Sequence, residues 1–161
     1  MKINAILVET GWSSLDSQEQ SAFFQEFAAK CNFSLKNDRL IDPKCESIEV
    51  DFTEASRGAE TALRQFVFGV FKDKLPNTKC VAMDINHGMW FFVPAALRLS
   101  DRCEPCPIDV LPWAEYIVLS DCGFENGLIC NPNSLQIVAF GNVFSEAFRS
   151  RYSERVVRQW R

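Results

Sequence analysis

His87 is the only histidine in the chain, and Asp84 stands three residues before it. An imidazole with a carboxylate at that spacing can serve as a general base held by an orienting acid. Side-chain hydrogen bonds from the same pair can instead fix a turn at a strand end. The sequence ties no Ser or Cys nucleophile to the pair, so turn-making is the expected role. Cys103 and Cys106 form a CxxC, which suits a redox pair or half of a zinc site. A redox thiol wants a helix N-terminus beside it, where the dipole lowers its pKa. Here Pro105, Pro107 and Pro112 oppose a helix, and Asp101, Glu104 and Asp109 would raise a thiol pKa. Zinc would need two more ligands, and Cys122 and Cys130 are not a tight second pair. The expectation is an ordinary loop carrying two thiols, with no metal and no cofactor. Glu115, Asp121 and Glu125 could pair as carboxylates, but nothing in their spacing fixes them together.

Charge is unevenly spread. Residues 1–143 hold 19 acids and 12 bases, whereas residues 144–161 hold five Arg and two Glu. Between Asp101 and Glu125 there are six acids against Arg102 alone. An acidic body repels nucleic acid and suits a basic protein partner. It also keeps a small protein soluble. The C-terminal arginines could hold phosphate, but at this density a solvated helix end is expected.

These residues must be positioned by a chain of 161 residues, 47% of them apolar, with fourteen Phe and four Trp. That is enough for one domain with an aromatic core. Ile3 to Val8 reads as a first strand. Asp16-Ser17-Gln18-Glu19 reads as a capping box opening a helix whose Phe23, Phe24, Phe27, Ala28 and Cys31 share a face. Asn32 to Lys44 reads as a polar loop. Glu46 to Phe52 alternates as a half-buried strand. A second helix is predicted over about Glu54 to Lys74, with Ala55, Ala59, Ala62, Leu63, Phe66, Val67, Val70 and Phe71 as its stripe. Pro76-Asn77 ends it.

From Cys80 to Gly141, short apolar segments recur at roughly ten-residue spacing between Gly, Pro, Asn and Asp, the pattern of an antiparallel meander. A last helix is predicted from about Val143, burying Val143, Phe144, Ala147 and Phe148. Residues 149–161 are read as its basic end or a tail. The predicted fold is α+β, a single domain over 1–161, with five or six mainly antiparallel strands and helices on one face. The run Ile3 to Val8 is too short for a secretory signal, and no stretch approaches a membrane span. Seven scattered Cys fit a reducing cytoplasm.

Several motifs together resemble a known family. They are Trp12 before the capped helix, Ser47-Ile48-Glu49-Val50-Asp51, Ala82-Met83-Asp84-Ile85-Asn86-His87, Trp90-Phe91-Phe92-Val93-Pro94, Ala114-Glu115-Tyr116 and Ala139-Phe140-Gly141. The chain resembles, over about residues 11–148, the bacterial family catalogued as domain of unknown function 2716. It departs at Cys130-Asn131-Pro132-Asn133, where that family has a His-Pro-Trp turn, so no role of that His or Trp is carried over. Small α+β proteins of this type often stand beside polymorphic toxins as immunity proteins.

The resemblance therefore implies a cytoplasmic, non-enzymatic binding protein that occludes the active site of a cognate toxin domain. The charge of the body suits a nuclease target. The expected contact residues are Asp101, Glu104, Asp109, Glu115, Asp121 and Glu125 for steering, with Trp113 as a buried anchor. The alternative is a small thiol or zinc enzyme centred on Cys103 and Cys106.

Overall fold

The computed structural model describes residues 11–34, 39–40, 46–53, 59–98, 107 and 115–160. The first predicted strand, the start of the second helix and most of the acidic loop lie outside them. One eight-stranded sheet, antiparallel throughout, organises the rest. In chain order the elements are β1 (Trp12–Ser14), α1 (Ser17–Lys30), β2 (Phe33–Ser34), β3 (Arg39–Leu40), β4 (Ser47–Asp51), α2 (Ala59–Lys74), β5 (Cys80–Asp84), β6 (Gly88–Phe92), β7 (Ile117–Asp121), β8 (Gly127–Asn131), β9 (Gln136–Phe140), α3 (Gly141–Arg151) and β10 (Val156–Trp160). Across the sheet the order is β1-β6-β5-β7-β8-β9-β4-β10, while β2 and β3 pair separately.

The α+β class and the meander follow the sequence. The strand number exceeds the five or six expected, because three segments read as loop or tail are strands. Trp12 pairs with Phe92 at one edge. Phe33–Ser34 pairs with Arg39–Leu40 inside the supposed polar loop. Val156–Trp160 pairs with β4 at the other edge, so the C-terminus is not a frayed helix end. Val156 and Val157 are β-branched, and such residues sit better on a pleated surface than in a helix.

Helices cover both faces of the sheet, not one. Cys80 and Ala82 point to the side of α2 and α3, into a core with Leu119, Leu128, Ile137, Leu63, Phe71, Phe144 and Phe148. Val81 and Met83 point the opposite way, to Val118, Ile129, Phe140 and Phe27 of α1. The physical cause is visible in β5, where Cys80, Val81, Ala82 and Met83 are all 0% exposed. A strand apolar at consecutive positions must be covered on both sides.

α1 begins at the predicted capping box. Asp16 Oδ1 accepts from the N–H of Gln18 at 2.9 Å and of Glu19 at 2.8 Å, and Glu19 Oε2 accepts from the N–H of Asp16 at 2.9 Å. Such a cap contributes ~1 kcal/mol. On α2 the stripe shifts from the expected one. Leu63, Val67, Phe68 and Phe71 are buried, Phe66 is half-buried, and Ala62 is exposed. Phe68 faces Trp12 and Phe92, with ring centroids 5.8 and 6.0 Å away, and this places it inward. α3 starts two residues earlier than expected, at Gly141, whose φ is +76°. A β-carbon there would collide with Glu125 O and Asn126 Oδ1, so only glycine fits.

Candidate functional site

The β5–β6 turn gathers the residues whose chemistry the sequence singles out. Asp84 ends β5, and its Oδ1 accepts from the backbone N–H of Asn86 at 3.1 Å and of His87 at 3.2 Å. His87 N also donates to Asp84 O at 3.1 Å, closing the turn. The imidazole then folds back, with Nδ1 2.9 Å from Oδ2 and 3.0 Å from Oδ1 of Asp84. One carboxylate thus organises both the backbone and the ring.

β7 brings Glu115 alongside. Ile85 N donates to Tyr116 O at 3.1 Å, which locks the turn to the start of β7. Asn86 Nδ2 donates to Glu115 Oε2 at 2.8 Å. The β8–β9 turn joins through Asn133, whose Nδ2 donates to Tyr116 Oη at 2.9 Å. Asn131 Oδ1 holds that turn by accepting from the N–H of Asn133 at 3.0 Å. The result is a polar end of the sheet, with Asp84, Asn86, His87, Glu115, Tyr116 and Asn133 side by side. A ligating atom from each of Asp84, His87 and Glu115 lies within 4.8 Å of the other two.

His87 titrates above its ordinary range. The hydrogen bond to Asp84 contributes most and the Asp84 charge next; desolvation opposes them, and Glu115 adds the smallest upward push. Its side chain is 61% exposed and that of Asp84 13%. The imidazole is therefore offered to solvent while its partner is anchored.

The expected contact residues do not form one patch. Asp101, Glu104, Asp109 and Trp113 lie outside the described residues. Glu115 sits at the polar end just described. Asp121 and Glu125 lie at the other end of β7, six or more residues along, roughly 20 Å away at strand rise. Asp121 is 8% exposed and not a surface acid. Its carboxylate accepts from the N–H of Glu125 at 2.8 Å and of Asn126 at 3.0 Å. That holds the β7–β8 turn, in which buried Phe124 takes a φ of +54°. Asp121 is spent on folding, and a steering role for it is withdrawn. Glu125 is exposed.

Cys103 and Cys106 also lie outside the described residues. Among the described thiols, Cys80, Cys122 and Cys130 are poorly suited to nucleophilic work. Burial pushes Cys80 up to about 12, with Cys122 and Asp121 adding to it. Burial also raises Cys122 and Cys130. A thiol so shifted carries almost no thiolate at neutral pH.

Sequence reasoning missed Asn86, Tyr116 and Asn133. Asn86 and Asn133 occupy turns, where Asn usually serves its own backbone. Their partners are on other strands, and only the strand order reveals them. Comparison with protein-family models, with curated proteins and with solved structures finds no match to this chain.

Proposed function

We propose that this protein acts by binding and not by catalysis. In this reading it is an immunity protein that covers the active site of a cognate bacterial toxin domain. The reading takes its class from the resemblance of the motifs, and the polar end of the sheet supports it. The observation that carries it is the seat of Glu115. In sequence Asp101, Glu104 and Asp109 precede Glu115, and Glu115 itself lies beside Asp84 and His87 at the β5–β6 turn. Acidic charge and exposed hydrogen-bonding groups therefore meet at one end of the sheet. Such an end complements a basic substrate groove, as in a nuclease. Trp113, two residues before Glu115, is the proposed anchor.

The thiol or zinc alternative gains nothing from buried Cys80 and Cys130 or half-buried Cys122, whose thiols burial raises. Cys80, Cys122 and Cys130 are unbridged, which suits the cytoplasmic setting that an immunity protein needs. No helix among the described residues is long and apolar enough to cross a membrane.

The test is stopped-flow association with the toxin domain encoded by the neighbouring upstream reading frame. The on-rate should fall steeply between low and high salt, because screening shortens the reach of the field. Absence of any complex with that product would remove the immunity reading.

A further inference from the structure

The donor set at the polar end has a chemistry of its own, and it goes beyond the binding reading without resting on it. We infer that Asp84, His87 and Glu115 form a site for a divalent transition-metal ion, with Asp84 Oδ2, His87 Nδ1 and a Glu115 oxygen as ligands. Two carboxylates and one imidazole suit first-row ions of the Mn²⁺ to Zn²⁺ series, and the nitrogen disfavours Ca²⁺ and Mg²⁺.

The spacing supports a particular geometry. Ligands about 2.1 Å from an ion are about 3.0 Å apart when adjacent in an octahedron, and about 3.4 Å apart in a tetrahedron. His87 Nδ1 and Asp84 Oδ2 are 2.9 Å apart. That separation, now spanned by a hydrogen bond, equals the adjacent octahedral spacing, and a Glu115 oxygen within 4.8 Å needs only a small side-chain adjustment to join.

The supporting contacts are also of the right type. Asp84 Oδ1 is held by two backbone N–H groups, which fixes the carboxylate against the ring and leaves Oδ2 without a backbone donor. Asn86 Nδ2 holds Glu115 Oε2, the kind of outer hydrogen bond that orients a ligating carboxylate. The ion takes the place of the proton between Nδ1 and Asp84, and the imidazole keeps its proton on Nε2. From the imidazolium form one proton is released to solvent. The three protein ligands come from β5, its turn and the entry to β7, so the remaining positions face outward to water or to a partner's side chain.

Mn²⁺ is the best probe, because the seven Cys of this chain would compete for softer ions. The experiment titrates the reduced protein with Mn²⁺ alone and follows free Mn²⁺ by its electron paramagnetic resonance signal. His87→Gln and Glu115→Gln are titrated in parallel, with melting curves to confirm folding. Saturable binding of one ion per chain is expected, weakened at least about tenfold in each variant. His87→Gln is the decisive arm. A purely acidic patch would bind Mn²⁺ as well or better after losing a cationic neighbour, whereas a ligating imidazole requires the opposite. Binding that does not saturate by about 1 mM, or that survives His87→Gln unchanged, overturns the site.

Discussion

Nδ1 of His87 lies 2.9 Å from Oδ2 of Asp84, the same carboxylate whose Oδ1 accepts from the backbone N–H of His87 at 3.2 Å. Side chain and main chain of one residue are thus tied to the same carboxylate, the ring reaching both of its oxygens and the backbone N–H its Oδ1. The arrangement explains how a histidine 61% exposed in its side chain still titrates high. It also makes the only imidazole of the chain a reporter for the polar end.

The first prediction follows from that tie. The His87 pKa lies above its ordinary value of 6.5 in the folded state. The stabilisation from the charged pair is then fully present below the unfolded pKa, and it disappears as pH rises through the folded one. Asp84→Asn keeps an acceptor for the turn but removes the charge. A proton-NMR titration of the imidazole should show the pKa falling toward 6.5 in that variant. The stability gap between wild type and Asp84→Asn should narrow as pH rises. A pKa indifferent to the substitution would mean that the pair does not persist in solution.

The β7–β8 turn gives a second prediction. Asp121 satisfies two backbone donors, at Glu125 and Asn126, from a position only 8% exposed. Asp121→Ala leaves both unsatisfied and should destabilise the fold by about 1–3 kcal/mol. Asp121→Asn keeps one acceptor and should cost less. Urea melts of the two variants measure the difference, and equal stability of wild type and alanine variant would refute the turn role.

Truncations on α2 distinguish its two aromatic environments. Phe71 is 0% exposed and packs against Phe92 and Phe144, with centroids at 5.3 and 4.7 Å. Phe71→Ala should cost about 3–5 kcal/mol. Phe66 is half-buried and meets Phe148 and Tyr152 toward the outside of the helix pair, with Arg151 over its face. Phe66→Ala should cost clearly less. Denaturant midpoints in the reverse order would show that the inward face of α2 is misassigned.

What the sequence makes legible here depends on whether a signal is local. The α1 cap is contained in four consecutive residues, Asp16 to Glu19, and it forms as read. The meander strands carry their own apolar runs and turn residues. Phe68 lies in the same core as Leu63, Val67 and Phe71 but reaches it through Trp12 and Phe92, a contact that helical spacing alone does not reveal. Helices on both faces are equally hidden, and Val81 and Met83 show that the sheet has a core on each side. β10 escaped notice because its five residues follow a helix and carry arginine, and its pairing with Ser47–Val50 is more than a hundred residues distant in the chain. The Asp84–His87 tie was legible at three-residue spacing. Glu115 joining it was not, because β7 reaches β5 only after the long connection from β6.

The last prediction separates the two ends of β7. If the polar end receives a basic partner, Glu115→Lys should slow association, because it reverses a charge beside Asp84. Glu125→Lys changes the net charge by the same amount at the opposite end of the strand. It should leave the on-rate nearly unchanged at about 0.15 M salt, where the ~8 Å screening length is shorter than the ~20 Å between the ends. At low salt both variants should slow, Glu115→Lys more. Glu125→Lys should leave the melting temperature nearly unchanged, since Glu125 is exposed, and Glu115→Lys should lower it only modestly through loss of the Asn86 hydrogen bond. Equal slowing by both at physiological salt would mean that only net charge matters, and the polar end would lose its claim as the docking face. Slowing by Glu125→Lys alone would move the partner to the β7–β8 turn, beside Lys30, which donates to Gly123 O at 2.8 Å.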